Sequence, residues 1–187
     1  DVIAPGSPYW TVMAEAAKLG LDPDLLGQFE PAVANRLESI IGEEMGWGDA
    51  GLAVSLTVNS FPLEMAKAVG NQELVDLSTG RIGCWMITHP DKGTDVGAFD
   101  MKREWVPGQP GNKGSMHAKV GADEIVINGQ CSAWVSNGAV AQVALGYLSA
   151  DYGKGYFDAD GRPHGVTVII PLDLPGVSRG KPLEKIG

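Results

Sequence analysis

The sequence predicts an α+β protein in which an N-terminal all-helical domain is followed by an antiparallel β-barrel domain. Residues 1–83 are rich in Ala, Leu and Glu, whereas residues 84–187 are richer in Val, Ile, Gly and Trp. The first part holds 4 Lys and Arg against 12 Asp and Glu, and the second holds 10 against 11. Apolar residues also change from helical to strand spacing at this point. We therefore expect domains at 1–83 and 84–187.

The helical prediction begins with repeated start and stop patterns. Ser7-Pro8 starts one helix that Gly20 ends, and Asp22-Pro23 starts a short helical turn. Pro31 opens a longer helix, because apolar residues then recur at helical spacing as far as position 45. Gly46-Trp47-Gly48 is expected to end it.

Two further helices are predicted before residue 83. Asp49 can cap the next helix, which we expect Pro62 to break or kink. Gly70-Asn71 then separates a short last helix, Gln72 to Leu77.

The strand prediction depends on short β-forming runs between Gly- and Pro-rich turns. Asn128-Gly129 is a strong hairpin pattern, so we expect strands at 124–127 and 130–136 on either side of it. Residues 97–115 are polar and interrupted by Pro and Gly, which predicts a long loop. The remaining predicted strands are Ile82–Thr88, Met116–Val120, Val143–Ser149 and Val166–Pro171.

Composition narrows the function classes. The chain has 187 residues, of which 44% are hydrophobic and 20% charged, which is enough apolar material for a core. Its net charge of −9 argues against a nucleic-acid partner, whose binding depends on neutralising phosphates. No apolar run is long enough for a membrane span, and no leader pattern is seen, so we expect a cytoplasmic protein. Cys84 and Cys131 are expected to be reduced core residues.

Several common site patterns are missing from the sequence. It contains no Walker A, Gly-x-Gly-x-x-Gly or Gly-x-Ser-x-Gly pattern. Its histidines lie far apart, and none pairs with a cysteine at zinc spacing. Asp158 and Asp160 lack a glutamate at the distance that a calcium loop needs, so we interpret them as a turn. We predict no metal site.

Two segments, 84–95 and 128–138, combine features that suit a planar heteroaromatic cofactor. Each places a Trp and hydroxyl residues near a strand end, beside Gly- or Pro-rich turns. An aromatic plane can pack on the cofactor ring, while hydroxyl and backbone donors meet its polar edge. The alternative is that Trp85 and Trp134 are core residues and the hydroxyls only cap strand ends. Residue patterns alone favour this second interpretation.

The same segments resemble the two signatures of the acyl-CoA dehydrogenase family. Thr88-x-Pro90-x-x-Gly93-Thr94-Asp95 is similar to Thr-Glu-Pro-x-x-Gly-Ser-Asp, with His89 in place of the Glu. Asn128-Gly129-x-x-x-x-Trp134-Val135-Ser136-Asn137-Gly138 is similar to Asn-Gly-x-Lys-x-Trp-Ile-Thr/Ser-Asn-Gly/Ala, with Cys131-Ser132 in the region of the Lys. The order of the two motifs and the spacing between them also match, and weaker likeness extends over nearly the whole chain.

The resemblance implies FAD as cofactor and an acyl-CoA thioester as substrate. In the family, a carboxylate removes the α proton and the β hydride passes to flavin N5, an oxidation of a CH–CH group. Carried over, Thr88 and the backbone near Ile87 bind the pyrimidine edge, Trp134 flanks the ring, and Ser136 approaches N5. Thr94 meets the FAD pyrophosphate and the substrate's pantetheine side. The other implied flavin-binding positions are Trp85 and Gly93.

The family also implies parts that this sequence does not show. Its catalytic Glu lies in a C-terminal helical bundle, so we expect a fragment that is inactive alone, and we assign no catalytic residue here. The implied partners are an electron-transfer flavoprotein and further copies of the chain in a dimer or homotetramer. The implied process is fatty-acid β-oxidation, in the mitochondrial matrix if the protein is eukaryotic. Two alternatives remain open: a flavin-dependent monooxygenase or oxidase of the same fold, and a non-catalytic acyl-CoA- or protein-binding module.

Overall fold

The computed structural model describes residues 26–90, 113–132, 134–161 and 164–181. The chain forms two compact units, Asp1–Ser60 and Phe61–Gly187. The helices of the described ranges are α1 (Pro31–Ala68) and α2 (Gln72–Ser78). The strands there are β1 (Gly83–Met86), β2 (Met116–Val120), β3 (Ile125–Gly129), β4 (Val143–Asp151) and β5 (Gly165–Pro171).

Helix α1 consists of two helical stretches that meet at Asp49. This residue has φ −161° and ψ 106°, so the helix is interrupted there. Its Oδ1 accepts a hydrogen bond from the Leu52 amide at 2.8 Å, which satisfies one of the N–H groups that a helix start leaves without a partner. The predicted helix end at 46–48 and the predicted cap at Asp49 are both confirmed.

Pro62 does not break the helix, because the backbone around it remains helical, whereas the kink, the other expectation, stays a prediction. A proline inside a helix removes one backbone hydrogen bond. Pro62 and Ala66 are the buried residues of α1 in the described ranges. The short helix α2 begins as predicted: the Asn71 side chain caps it by accepting from the Leu74 amide at 3.2 Å.

The five strands form one sheet organised around β4. Strand β1 pairs with β4 in parallel, from Gly83 opposite Val143 to Met86 opposite Gly146. Strand β2 also pairs with β4 in parallel, from His117 opposite Ser149. Strand β5 runs antiparallel along β4, and β3 runs antiparallel to β2. Since β5 spans most of β4 on one edge, β1 and β2 share the other edge, one after the other.

The α+β class is confirmed, with two differences in the sheet. Two of its pairings are parallel, and in the described ranges the strands do not close into a barrel. Parallel neighbours need a long crossover between them, and the stretches from β1 to β4 and from β2 to β4 are both long enough. Strand patterns reveal which residues extend, but they do not reveal which distant strand each one joins.

The predicted hairpin turn at Asn128-Gly129 is wrong. The hairpin joins β2 to β3 instead, and its turn is closed by a 2.9 Å bond from the Gly121 amide to the Glu124 carbonyl. Gly129 lies at the end of β3, opposite Met116. Its φ is +117°, and a Cβ there would collide with the carbonyl of Ser115. Glycine is needed at position 129 because the two backbones approach each other closely there. An Asn-Gly dipeptide can serve either such an approach or a hairpin turn, so the sequence alone does not tell which one it forms.

One face of the sheet carries the core. The buried cluster is contributed by alternate residues of β1 and β2 together with β4, β5 and the segment before β4. Its members are Cys84, Met86, Met116, Ala118, Ala141, Ala144, Leu148, Val168 and Ile170. None of the helices in the described ranges is both long and apolar enough to cross a membrane.

Some predictions lie outside the described residues. These are the helix from Ser7, the turn at Asp22 and most of the loop 97–115. The domain boundary near residue 83 stays a prediction, since the compact units divide within α1. The turn predicted at Asp158 is confirmed, because its Oδ1 accepts from the Asp160 amide at 2.9 Å and its carbonyl accepts from the Gly161 amide at 3.0 Å.

Candidate functional site

The candidate site lies where β1 ends and β2 begins on the shared edge of β4. Strand β1 stops at Met86, opposite Gly146, and the β2 pairing with β4 starts at His117, opposite Ser149. Residues 87–90 follow β1 at this break in the edge. Two of the predicted cofactor-binding residues, Ile87 and Thr88, are therefore at a strand end, and both are half-buried.

The carbonyl oxygen of Thr88 joins the two sequence motifs. It accepts a hydrogen bond from the Ser132 amide at 2.9 Å and another from the Cys131 thiol at 3.1 Å. A carbonyl oxygen has two lone pairs, so one atom can accept both bonds. The structure therefore brings together the first motif at Thr88 and the second motif at Cys131 and Ser132.

A second contact fixes the other end of the second motif. The side-chain amide of Asn137 donates to the carbonyl of Gly83 at 3.1 Å. Asn137 has φ +61°, a left-handed conformation that asparagine tolerates better than most residues. Further along the chain, the backbone amide of Gln142 donates to the backbone carbonyl of Ile82 at 2.7 Å. The segment from 131 to 142 is thus attached to β1 at both of its ends.

Trp134 and Ser136 lie between these two attachment points and face solvent. The Trp134 side chain is 68% exposed, and Ser136 is also exposed. The Trp134 amide donates to the Ser132 hydroxyl at 3.1 Å, which fixes the backbone that carries the indole. The interpretation of Trp134 as a core residue is therefore wrong. An exposed tryptophan on a tethered backbone is available to pack against a planar ligand.

Trp85 has a different environment from Trp134. It is half-buried on the sheet face opposite to Cys84 and Met86, with its ring 4.9 Å from Phe61 and 6.2 Å from Tyr147, both edge to face. Its indole Nε1–H is buried and has no hydrogen-bond partner among the residues that the structure describes. A buried donor of this kind is costly unless some acceptor meets it.

The two cysteines are reduced, as expected. Burial, helped by the neighbouring Cys131, raises the pKa of the Cys84 thiol to about 12. Burial also raises the pKa of Cys131, although the hydrogen bond at Ser132 opposes this. Both thiols are therefore protonated near neutral pH, and neither is a nucleophile. The Cys131 thiol also donates a hydrogen bond to the Thr88 carbonyl, which the prediction of a core residue does not include.

A separate cluster lies near the start of β2. Lys113 Nζ is 3.3 Å from Nε2 of His117 and 4.8 Å from the centre of the Tyr156 ring. The His117 and Tyr156 rings meet edge to face at 5.2 Å. Desolvation lowers the pKa of His117, with Lys113 adding to the effect. This histidine is therefore neutral and accepts a hydrogen bond from the lysine.

The remaining predicted site residues have mixed outcomes. Gly93 and Thr94 lie outside the described residues, so their assignments stay predictions. In the described ranges, no three His, Cys, Asp or Glu residues come together as a metal site would require. The motif pattern did not identify two residues that organise the site. These are His89, seen only as a departure from the motif, and Asn137, whose tether to Gly83 depends on tertiary contacts.

Comparison with known proteins gives relatives of one kind. Human short-chain specific acyl-CoA dehydrogenase, mitochondrial, is 27% identical over 157 residues, covering 80% of this chain and 32% of that protein. Probable acyl-CoA dehydrogenase YngJ of Bacillus subtilis is 25% identical over 79% of this chain and 34% of its own length. Isobutyryl-CoA dehydrogenase, mitochondrial, of Dictyostelium discoideum is 26% identical over 94% of this chain and 39% of its own length. No protein-family model matches.

Comparison with solved structures gives matches of lower similarity. The glutaryl-coenzyme A dehydrogenase glutaryl-CoA complex is 24% identical over 73% of this chain and 31% of that chain, with a TM-score of 0.49. The FAD complex of PigA is 20% identical over 73% of this chain and 32% of that chain, with a TM-score of 0.47. The resemblance to acyl-CoA dehydrogenases is confirmed by the sequence relatives, and the chain spans about a third of their length.

Proposed function

We propose that this chain is the flavin-binding part of an FAD-dependent acyl-CoA dehydrogenase. The complete enzyme removes hydrogens from the α and β carbons of an acyl-CoA thioester. The proposal is supported by relatives that bear this name and by the ordered pair of motifs in the sequence. The observation that carries it is the double hydrogen bond at the Thr88 carbonyl, because it joins both motifs in one place.

The described residues fit a flavin in three respects. Trp134 offers an exposed aromatic plane on a fixed backbone. Ser136 supplies a hydroxyl group two residues after Trp134, and Thr88 supplies another on the segment that its carbonyl joins to the second motif. The Nε1–H of Trp85 is a buried donor without a described acceptor. Ring nitrogens and oxygens of a flavin are acceptors of the kind that such donors require.

Each residue has a proposed role toward FAD. Ile87 and Thr88 hold the pyrimidine edge, Trp134 flanks the ring, and Ser136 lies near N5. When bound, the flavin supplies the hydride acceptor for oxidation of the β carbon. Donors at the edge where negative charge develops on reduction would stabilise that charge without reorganisation. Gly93 and Thr94 complete the proposed set toward the pyrophosphate and the substrate.

Other parts of the proposal concern the complete enzyme. We assign no catalytic base to this chain. Acyl-CoA is the proposed substrate, an electron-transfer flavoprotein the proposed acceptor, and a homo-oligomer the proposed assembly. The proposed compartment is the cytoplasm, or the mitochondrial matrix in a eukaryote.

Trp134→Ala tests the cofactor site, with Trp47→Ala as a matched control. Both tryptophans are exposed, at 68% and 89%, so neither substitution removes core packing. We expect Trp134→Ala to weaken FAD binding by about tenfold. This corresponds to the loss of one aromatic contact that contributes roughly 1.4 kcal/mol to the binding free energy. Trp47→Ala should bind FAD like the unmodified chain. Flavin fluorescence during titration gives the dissociation constants, and equal values for both variants would contradict the site.

The reaction itself is tested in the complete enzyme. We expect Ser136→Ala and Trp134→Ala to slow anaerobic reduction of the flavin by an acyl-CoA. Unchanged reduction in both variants would disprove their assigned roles. Mixing the reduced enzyme with oxygen then separates a dehydrogenase, which reacts slowly, from a monooxygenase or oxidase.

A further inference from the structure

His89 is a buried polar residue at the break between β1 and β2. Its side chain is 1% exposed and is among the largest fully buried side chains of the described residues. It directly follows Thr88, whose carbonyl joins the two motifs. Buried polar groups are normally retained for a hydrogen bond, so the contacts of this ring show what it does.

The imidazole of His89 connects the end of β1 to the start of β2. Its Nδ1 accepts a hydrogen bond from the backbone amide of Met116 at 3.2 Å. Met116 is the first residue of β2, and the pairing of β2 with β4 begins only at the next residue, His117. The ring therefore gives the Met116 amide the acceptor that β4 does not provide.

This bond determines the protonation state of the ring. An imidazole nitrogen can accept a hydrogen bond only when it carries no proton, so the neutral ring has its proton on Nε2. An apolar residue at this position would leave the Met116 amide buried without that acceptor. Such an unsatisfied buried group destabilises the structure around it.

Three hydrogen bonds hold these two successive residues against different partners. The Thr88 carbonyl is fixed by Ser132 and Cys131, and the His89 ring is fixed by Met116. The backbone on either side of the 88–89 peptide is thus attached to the second motif and to β2. A shift of this segment would break both attachments.

We propose that His89 is a positioning residue that holds Ile87 and Thr88 in place for FAD, acting through its Nδ1 bond to the Met116 amide. The expected effect on FAD binding rests on the proposed function. The hydrogen bond between His89 and Met116 can be measured without FAD. For this role the ring needs to supply an acceptor and to fill the buried volume.

The test compares His89→Leu with His89→Asn. Leucine removes the acceptor, whereas the Oδ1 of asparagine can replace Nδ1. With ¹⁵N-labelled methionine, we expect His89→Leu to speed hydrogen exchange of the Met116 amide by about tenfold or more and to weaken FAD binding about tenfold, while His89→Asn restores both. Leu148→Val, a mild change in the core, controls for general loss of stability and should leave FAD affinity unchanged.

A ring ¹⁵N spectrum of the unmodified chain adds a readout that needs no variant. It should show His89 with a bare Nδ1 and a protonated Nε2; the opposite tautomer would overturn the proposal even if His89→Leu failed to fold. Unchanged Met116 exchange in His89→Leu would also overturn it. If the unmodified chain bound no FAD, the proposed function would fail while the exchange and tautomer results still decided the bond. If His89→Leu lost the bond but kept FAD affinity, the positioning role alone would be wrong.

Discussion

The backbone amide of Ser132 donates to the carbonyl oxygen of Thr88 at 2.9 Å. Each residue belongs to a different motif, and the bond makes the position of one depend on the position of the other. The Cys131 thiol donates to the same oxygen at 3.1 Å, which strengthens this dependence. A change at the end of β1 should therefore be transmitted to the segment that carries Trp134 and Ser136.

Gly129→Ala should destabilise the protein far more than Gly153→Ala. Both glycines have positive φ, +117° and +85°, so alanine is strained at either position. Only at Gly129 would the new Cβ also collide with the Ser115 carbonyl; at Gly153 it meets no atom within 4 Å. We expect a loss of about 3 kcal/mol or more at Gly129 and about 1 kcal/mol at Gly153. Urea unfolding measures both, and equal losses would show that the collision is relieved.

Asp49→Ala should destabilise the second stretch of α1. The Oδ1 of Asp49 caps this stretch through the Leu52 amide at 2.8 Å, and loss of such a cap typically costs about 1 kcal/mol. Asp49→Asn keeps the acceptor and should lose much less. The free energy of unfolding and the helical circular dichroism signal are the measurements. If alanine and asparagine behave alike, the cap contributes no measurable stability.

Cys84 should resist alkylation in the folded protein. Burial raises its pKa to about 12, so hardly any thiolate exists near neutral pH, and the side chain is also inaccessible. We expect mass spectrometry to find Cys84 unmodified after iodoacetamide at pH 8 and fully modified once urea is added. Rapid modification without urea would mean that the core opens readily around β1.

The His117 ring should titrate below its usual range, and Lys113→Met should raise its pKa. Desolvation is the main cause and Lys113 the next, while Lys119 also opposes protonation. Because the folded pKa lies below the unfolded value of 6.5, the unfolded chain takes up the proton first as the pH falls. The contribution of His117 to stability is thus present above the unfolded pKa and is lost as the pH falls through the folded one.

An NMR titration of the histidine ring protons measures this pKa in both proteins. Equal values with and without Lys113 would show that its ammonium group does not act on the ring. Urea unfolding at pH 7 and pH 5 measures the loss of unfolding free energy on acidification. We expect this loss to be smaller in Lys113→Met than in the unmodified protein.

Local patterns predicted most of the elements, although the described residues of the strand expected at 130–136 form no strand. Long-range pairings could not be predicted. Asp49, Asn71 and the bounds of β2 follow from capping and periodicity, which involve neighbouring residues. Gly129 shows the limit of local prediction. An Asn-Gly dipeptide can form a hairpin turn or allow two backbones to approach closely, and only the pairing of β3 with β2 shows that Gly129 does the second. Pro62 shows this limit too, since the helix continues through this buried proline, where the local pattern predicts a break or kink.

The candidate site was predictable to a similar extent. The motifs identified Thr88, Trp134 and Ser136, but their joining through the Thr88 carbonyl depends on tertiary structure. His89 appeared in the sequence only as a departure from the family pattern. Its hydrogen bond to Met116 depends on β1 and β2 sharing one edge of β4, a relationship that no local pattern contains.

The central position of β4 has a consequence for how the protein is made. Three strands depend on it, and the contact beside its start joins Ile82 to Gln142, residues 60 positions apart. On the ribosome, β1 and β2 emerge before their common partner exists, so their unpaired edges are exposed while the intervening residues are synthesised. We therefore expect slow, late formation of the sheet and a need for chaperone protection of the nascent chain during that interval.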